Sequence, residues 1–296
     1  MVSAGVVSFM AANAVAQNLY VTQTGVSLPP QVGQGGTVIA IQPNGTVSAP
    51  IISGLEDPFA LAFDSSGDLF IGAEARIIEI TPGGTQSTFA SGMATTALAF
   101  NSAGDLFAGV GNTIIEITPN GTKSTFATLG FQQDVKALAF NSSGDLFAAE
   151  SAVSMGAIFE YTPGGTQSTF ATSINVPNAL AFNSAGNLFV SSGGGSIFEF
   201  TPDGTRSTFA TGSNGAEGLA FNSAGILFEA SRLNGTIYEY TPGGTQSVFA
   251  SGLTSPDALA FQPVPEPSVP GLVGAGTVSL LAWRFRRKRQ LQCLGK

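Results

Sequence analysis

The chain has 296 residues, of which 43% are hydrophobic and only 10% charged, with 38 glycines and 23 phenylalanines. This balance excludes disorder caused by excess charge, and the abundance of Gly, Ser, Thr and Phe favours short strands joined by turns. The chain has no histidine and one cysteine, Cys293, which excludes His-dependent nucleophilic catalysis, imidazole-bound metals and any intrachain disulfide.

The net charge of −8 combines two unlike regions. Residues 17–283 carry 19 acidic and 5 basic side chains, whereas the last 13 residues carry 6 basic side chains and no acidic ones. An acidic body has few groups that could neutralise phosphates, so we expect no nucleic-acid partner.

The first 16 residues are typical of a secretory signal peptide. An apolar run of small residues extends from Val2 to Ala12, and Ala14-Val15-Ala16 forms an A-x-A cleavage site before Gln17. No Lys or Arg precedes the apolar run. The alternative is that the run is a buried first strand.

A repeat of about 40 residues begins after this segment. The tripeptide Leu-Ala-Phe starts at six positions, which are Leu61, Leu98, Leu138, Leu180, Leu219 and Leu259. The turn Pro-x-Gly-Thr also starts at six positions, which are Pro43, Pro82, Pro119, Pro163, Pro202 and Pro242. Such a period with several short strands per unit predicts a β-propeller.

Each unit contains four segments with alternating hydrophobicity, which predicts four antiparallel strands and two tight hairpins. Asn18–Val21 matches a second strand, and Leu259–Phe261 is a first strand with nothing after it. Pairing these two segments closes the ring without an open edge. We therefore predict an all-β, six-bladed propeller over residues 17–263, with four antiparallel strands per blade and one composite blade built from both ends.

The small Ala-Leu-Ala-Phe strand fits the crowded innermost position, and phenylalanines fill the space between blades. The residue just before this strand should lie at the mouth of the central channel, on the face that carries the variable loops. Across the repeats, this position reads Phe59, Thr96, Lys136, Asn178, Glu217 and Asp257. We expect a binding site that includes Lys136, Asn178, Glu217 and Asp257.

No cofactor is fixed by the sequence, but calcium or magnesium is a candidate. Asn178, Glu217 and Asp257 place oxygen ligands on three consecutive blades, which suits a hard cation. The alternative is a solvated polar rim in which Lys136 balances a carboxylate across the channel.

The repeat resembles NHL-type propellers and the propellers of the gluconolactonase and virginiamycin B lyase families. Pro177–Ala181 and Pro256–Leu259 are similar to two segments that supply metal ligands in gluconolactonases, and the resemblance implies that role for Asn178 and Asp257. Glu217 has no secure family counterpart, and the catalytic histidine of the lyases is absent.

The C-terminal segment, residues 264–296, has three parts. Pro265-Glu266-Pro267 precedes an uncharged stretch from Ser268 to Trp283, and a basic cluster follows. This order resembles the PEP-CTERM sorting signal, which implies export, transient anchoring in the inner membrane and processing by an exosortase-type enzyme. The alternative is a plain membrane anchor with a basic stop.

Two functions follow as hypotheses. The first is an exported cell-surface or extracellular-matrix scaffold that binds a polysaccharide or surface protein and catalyses nothing. The second is a metal-dependent hydrolase or lyase of the gluconolactonase type, with Asn178, Glu217 and Asp257 as ligands.

Overall fold

The computed structural model describes residues 17–25, 35–130, 133–151, 155–212 and 215–264, which form twenty-four β-strands. The predicted signal peptide (residues 1–16) and the predicted sorting motif Pro265, Glu266 and Pro267 lie outside these ranges. Within them, no helix is long and apolar enough to cross a membrane.

The strands form six four-stranded antiparallel sheets, which are the blades of a β-propeller. Blade 1 contains β24 Pro256–Phe261, β1 Leu19–Gln23, β2 Gly36–Ile41 and β3 Ile52–Leu55. Blade 2 contains β4 Ala60–Phe63, β5 Leu69–Ala73, β6 Arg76–Ile80 and β7 Gln86–Ser91. Blade 3 contains β8 Ala97–Phe100, β9 Leu106–Val110, β10 Thr113–Ile117 and β11 Lys123–Thr128. Blade 4 contains β12 Asp134–Phe140, β13 Leu146–Ser151, β14 Gly156–Tyr161 and β15 Gln167–Ile174. Blade 5 contains β16 Pro177–Phe182, β17 Leu188–Ser192, β18 Ser196–Phe200 and β19 Arg206–Thr211. Blade 6 contains β20 Ala216–Phe221, β21 Leu227–Ser231, β22 Thr236–Tyr240 and β23 Gln246–Ser251. The predicted fold is confirmed.

The turn between the first two strands of a blade shows why its sequence repeats. In blade 2, the Asp64 carboxylate accepts hydrogen bonds from the backbone N–H groups of Ser66 and Asp68, at 2.9 and 2.8 Å. Gly67 has a φ of +86°, in the left-handed region that favours glycine. An Asp or Asn at the start and a Gly at the fourth position are therefore both required by the turn.

The ring closes through the composite blade, as predicted. β24 pairs with β1 in antiparallel register, with Leu259 opposite Val21 and Phe261 opposite Leu19. The side chain of Gln17 adds a further tie, because its Nε2 donates to the Gln262 carbonyl at 2.8 Å. The innermost strand is thus paired with the second strand in each of the six described blades.

Phenylalanines pack between the blades in a repeated pattern. In blade 4, the buried Phe147 makes edge-to-face contacts with Phe170 of its own fourth strand and Phe182 of the next blade, each with ring centroids 5.0 Å apart. The same pair of contacts recurs around four other second-strand phenylalanines, which are Phe70, Phe107, Phe189 and Phe228. The phenylalanine excess is therefore core packing.

Candidate ligand site

The six innermost strands surround a cavity of about 500 Å³. Its wall is formed by the alanines and leucines of the repeated Leu-Ala-Phe strands, and Gly218 replaces alanine in blade 6. Gly218 lies so close to blade 1 that an added Cβ would be 2.2 Å from the Asp257 carbonyl oxygen. At the mouth of the cavity, this apolar wall ends in a rim that is mostly polar and charged.

The rim contains all six residues that the sequence placed at the channel mouth, and we call this ring the collar: Phe59, Thr96, Lys136, Asn178, Glu217 and Asp257. Phe59 and Thr96 lie just before their strands, whereas the other four lie within β12, β16, β20 and β24. The structure therefore brings the predicted binding residues together. Their role in binding stays a prediction.

Arg232 also lines the cavity, and the sequence reasoning missed it. It directly follows β21, and its Nη1 lies 3.2 Å from Oδ2 of Asp257. Its Nη2 donates to the Thr24 hydroxyl at 3.3 Å, so the guanidinium joins blade 6 to the composite blade. One signal in the sequence could have found it. Arg232 is one of only five basic residues in 17–283, and it lies in a variable loop near the acidic collar residues Glu217 and Asp257.

The two collar carboxyls interact within the cavity. Burial, followed by the charge of Glu217, raises the pKa of Asp257 to about 7, while Arg232 opposes this shift. Burial also raises the pKa of Glu217, and the charges of Arg232 and Lys136 lower it. The cavity is therefore a place where carboxyl protonation responds to nearby charge.

Two neutral collar residues connect neighbouring blades. The Thr96 hydroxyl lies 2.7 Å from the Val135 carbonyl oxygen of blade 4. The Asn178 side chain donates from Nδ2 to the Ala216 carbonyl of blade 6 at 3.3 Å. These bonds satisfy backbone carbonyls at the cavity rim and leave Oδ1 of Asn178 as an acceptor.

The arrangement does not fit a divalent cation closely. Oδ2 of Asp257 is engaged by Arg232, and a cation would share the cavity with Lys136 as well. Among the residues that the structure describes, no group of three or more Cys, Asp and Glu side chains is arranged to hold a metal ion. Glu56 and Asp57, two acidic residues just before blade 2, do not line the cavity.

Comparison with known proteins places the chain by its fold. No protein-family model and no curated protein sequence matches it. Solved structures do match: virginiamycin B lyase from Staphylococcus aureus aligns with a TM-score of 0.57 at 16% identity, over 68% of this chain and 73% of the lyase.

Two further structures match to a similar extent. A protein provisionally described as a gluconolactonase has a TM-score of 0.60 at 16% identity, over 69% of this chain and 81% of its own. A calcium-binding protein, regucalcin from Agrobacterium tumefaciens, has a TM-score of 0.61 at 16% identity, over 68% and 76%. At this identity the likeness shows the propeller fold alone, which these lyase, lactonase-like and regucalcin proteins share.

Proposed function

We propose that this propeller is a non-catalytic binding scaffold and that its ligand enters the collar cavity. The observation that carries the proposal is the combination of a polar, charged rim with an apolar wall in one concave site. The chain has no histidine, so it lacks the side chain that most often serves as a general base near neutral pH. This lack favours binding over catalysis.

The proposal includes a location. Residues 1–16 would direct export, and the tail of residues 264–296 would contact the inner membrane transiently before an exosortase-type enzyme cuts near Pro265, Glu266 and Pro267. The protein would then act at the cell surface or in the extracellular matrix. Mass spectrometry of the protein from each cell fraction tests this location. We expect a surface or medium form without residues 1–16 and without the basic tail; an intact chain confined to the cytoplasm contradicts it.

Polysaccharides and surface proteins are the expected partners. A polysaccharide array probed with the full-length protein tests the first class. We expect binding that is lost when Asn178 and Glu217 are both changed to Ala and kept in Glu160→Ala, because Glu160 lies on the outer part of blade 4. Binding that survives the collar change would move the site elsewhere.

A divalent-metal-dependent hydrolase or lyase is the second candidate. Asn178, Glu217 and Asp257 on three successive blades favour it, since all three line one cavity. A metal that binds only the folded protein must raise its melting temperature. A rise with calcium, magnesium or zinc that disappears when these three residues are changed to Ala would favour this candidate over the scaffold. No rise at millimolar metal would exclude it.

A further inference from the structure

The collar and Arg232 together place two positive and two negative side chains around the cavity, and one of these pairs is in direct contact. Arg232 and Asp257 form an ion pair at 3.2 Å. Among the described residues, Glu217 makes no ion pair, and Lys136 approaches only Asp134, at 4.0 Å. The Asp134 side chain is 60% exposed, so that contact is weak. Lys136 and Glu217 are therefore the two collar charges without a close ion-pair partner in the described part of the chain, and we call them the unmatched charges.

These two unmatched charges lie on the same arc of the ring. Lys136 is on blade 4, Asn178 on blade 5 and Glu217 on blade 6, so the amide stands between the positive and the negative group. Both side chains line the cavity; burial raises the pKa of Glu217, and the charges of Arg232 and Lys136 oppose that rise. A ligand that covers Asn178 would therefore lie between the two charges.

The wall below this arc is apolar. Leu138, Leu180 and Leu219 line it on the same three blades, and Val176 at its rim is 39% exposed. Carbon atoms of a ligand placed against this wall would leave water, which contributes roughly 25 cal/mol per Å² of apolar surface buried. The site thus combines two opposite charges with an apolar floor.

We propose, on the basis of the proposed function, that the collar binds a small amphipathic zwitterion. Its anionic group would face Lys136, its ammonium group would face Glu217, and its apolar body would lie against the leucine wall. An α-amino acid with an apolar side chain is the simplest molecule of this class, whether it is free or carried by a larger partner.

Desolvation explains why a zwitterion suits the site. Any ligand that covers the arc removes water from Lys136 and Glu217, which is unfavourable unless an opposite charge replaces the water. A simple anion adds no counter-charge for Glu217, and a simple cation adds none for Lys136. A neutral polyol leaves both uncompensated. Only a ligand with both signs satisfies the pair.

The test is isothermal titration of the full-length protein at low ionic strength with three matched ligands. L-Leucine carries both charges, 4-methylpentanoate lacks the ammonium group, and 3-methylbutylamine lacks the carboxylate. We expect leucine to bind at least about tenfold more tightly than either analogue. L-Phenylalanine and N-acetylglucosamine extend the series to a second apolar zwitterion and to a neutral polyol.

Two neutral variants assign the charges, with Glu160→Gln as the surface control. Glu217→Gln should remove the preference for leucine over 4-methylpentanoate, and Lys136→Gln should remove the preference over 3-methylbutylamine. Equal affinities for the zwitterions and their analogues, or equal responses of both variants, would overturn the assignment. Binding of N-acetylglucosamine or of a polysaccharide that depends on the collar, without zwitterion binding, would overturn it and leave the proposed function standing. A collar that binds none of these ligands would overturn the zwitterion proposal, while the polysaccharide array tests the proposed function separately.

Discussion

The collar and the phenylalanine layer that packs between the blades are built from the same repeat. The phenylalanine layer is nearly the same in each blade, whereas the collar differs from blade to blade. Between blades, the second-strand phenylalanine makes the same two edge-to-face contacts at five positions, with ring centroids 4.9 to 5.0 Å apart. In the collar, the equivalent position holds a different residue type in every blade. The contrast separates what the repeat needs for folding from what it can vary.

A physical reason accounts for the difference. A ring wedged between two sheets has contacts on both sides, so a change of size or shape leaves a void or a clash. A collar side chain faces a cavity and has room to differ. The result is asymmetry: Phe59 and Thr96 occupy one side of the mouth, whereas the charged groups of blades 4, 6 and 1 occupy the other. The most asymmetric part of a repeated fold is where we place its function.

The largest effect is expected from the layer between blades. Phe147→Ala removes a buried ring and two aromatic contacts, which should lower the free energy of unfolding by about 3–5 kcal/mol. Phe59→Ala, at the half-exposed collar, should cost less than half as much. Urea unfolding of both variants measures the gap. Similar losses would mean that the collar is part of the packing layer and would break the comparison.

A smaller effect is expected where the collar also serves the ring. Arg232→Met removes the partner of Asp257, and we expect a loss of about 1–2 kcal/mol near pH 8.5, below the range for fully buried pairs because Arg232 is one-third exposed. The pKa of Asp257 is about 7, so its proton is favoured in the folded state. Stability therefore falls as the pH rises from the unfolded value of 3.8 through this value. Without Arg232 the pKa of Asp257 would be higher, so the fall should continue to higher pH.

The matched control for this prediction is Arg206→Met. Arg206 lies over the Phe198 ring, 3.6 Å from its centroid, on the outer part of blade 5. We expect its cost to be the same near pH 5.5 and pH 8.5, whereas the cost of Arg232→Met should grow between them. Unfolding free energies at both pH values measure this. A pH-independent loss for Arg232→Met would show that the guanidinium acts only by packing.

Glu150 is a buried carboxyl group on the second strand of blade 4, and it sharpens the comparison. Its side chain is 3% exposed, and among the described residues its Oε2 has no hydrogen-bond partner. Burial raises the pKa of Glu150, although a hydrogen bond with the Ala157 backbone opposes the shift. Ionisation therefore destabilises the folded state as the pH rises above the unfolded value of about 4.5.

Glu150→Gln should thus raise the free energy of unfolding by about 1 kcal/mol near pH 8 and leave it almost unchanged near pH 4. Glu160→Gln, on the next strand but on the outer part of the blade, should have no effect at either pH. Thermal and urea unfolding at the two pH values provide the measurement. A loss of stability near pH 8 would show that the charged form of Glu150 is used by the fold.

Much of this architecture could be predicted from the sequence, because the features that define it are local and repeated. The turn at Asp64–Asp68 depends on hydrogen bonds between neighbours in the chain, and the period of the Leu-Ala-Phe strands counts the blades. The composite closure followed from one unpaired strand at each end. The collar followed as well, since a residue that precedes the innermost strand must lie at the mouth.

The contacts within the collar could not be predicted in the same way. Arg232 reaches Asp257 from a loop whose position depends on how blade 6 meets blade 1, and no repeat unit carries that information. The sequence predicted that Asn178 binds a ligand, but it gave no sign that Nδ2 of this side chain donates to the Ala216 carbonyl of the next blade. Long-range side-chain geometry of this kind appears only in the folded ring.

The smallest effect tests whether a neutral collar residue contributes to the ring at all. Thr96→Val keeps the shape of the side chain and removes the hydroxyl that lies 2.7 Å from the Val135 carbonyl, so we expect a loss of about 1 kcal/mol. Thr88→Val, on the exposed outer strand of blade 2, should cost nothing. Urea unfolding compares the two. If both variants were as stable as the wild type, water would satisfy the Val135 carbonyl in Thr96→Val. Thr96 would then not contribute to the stability of the ring.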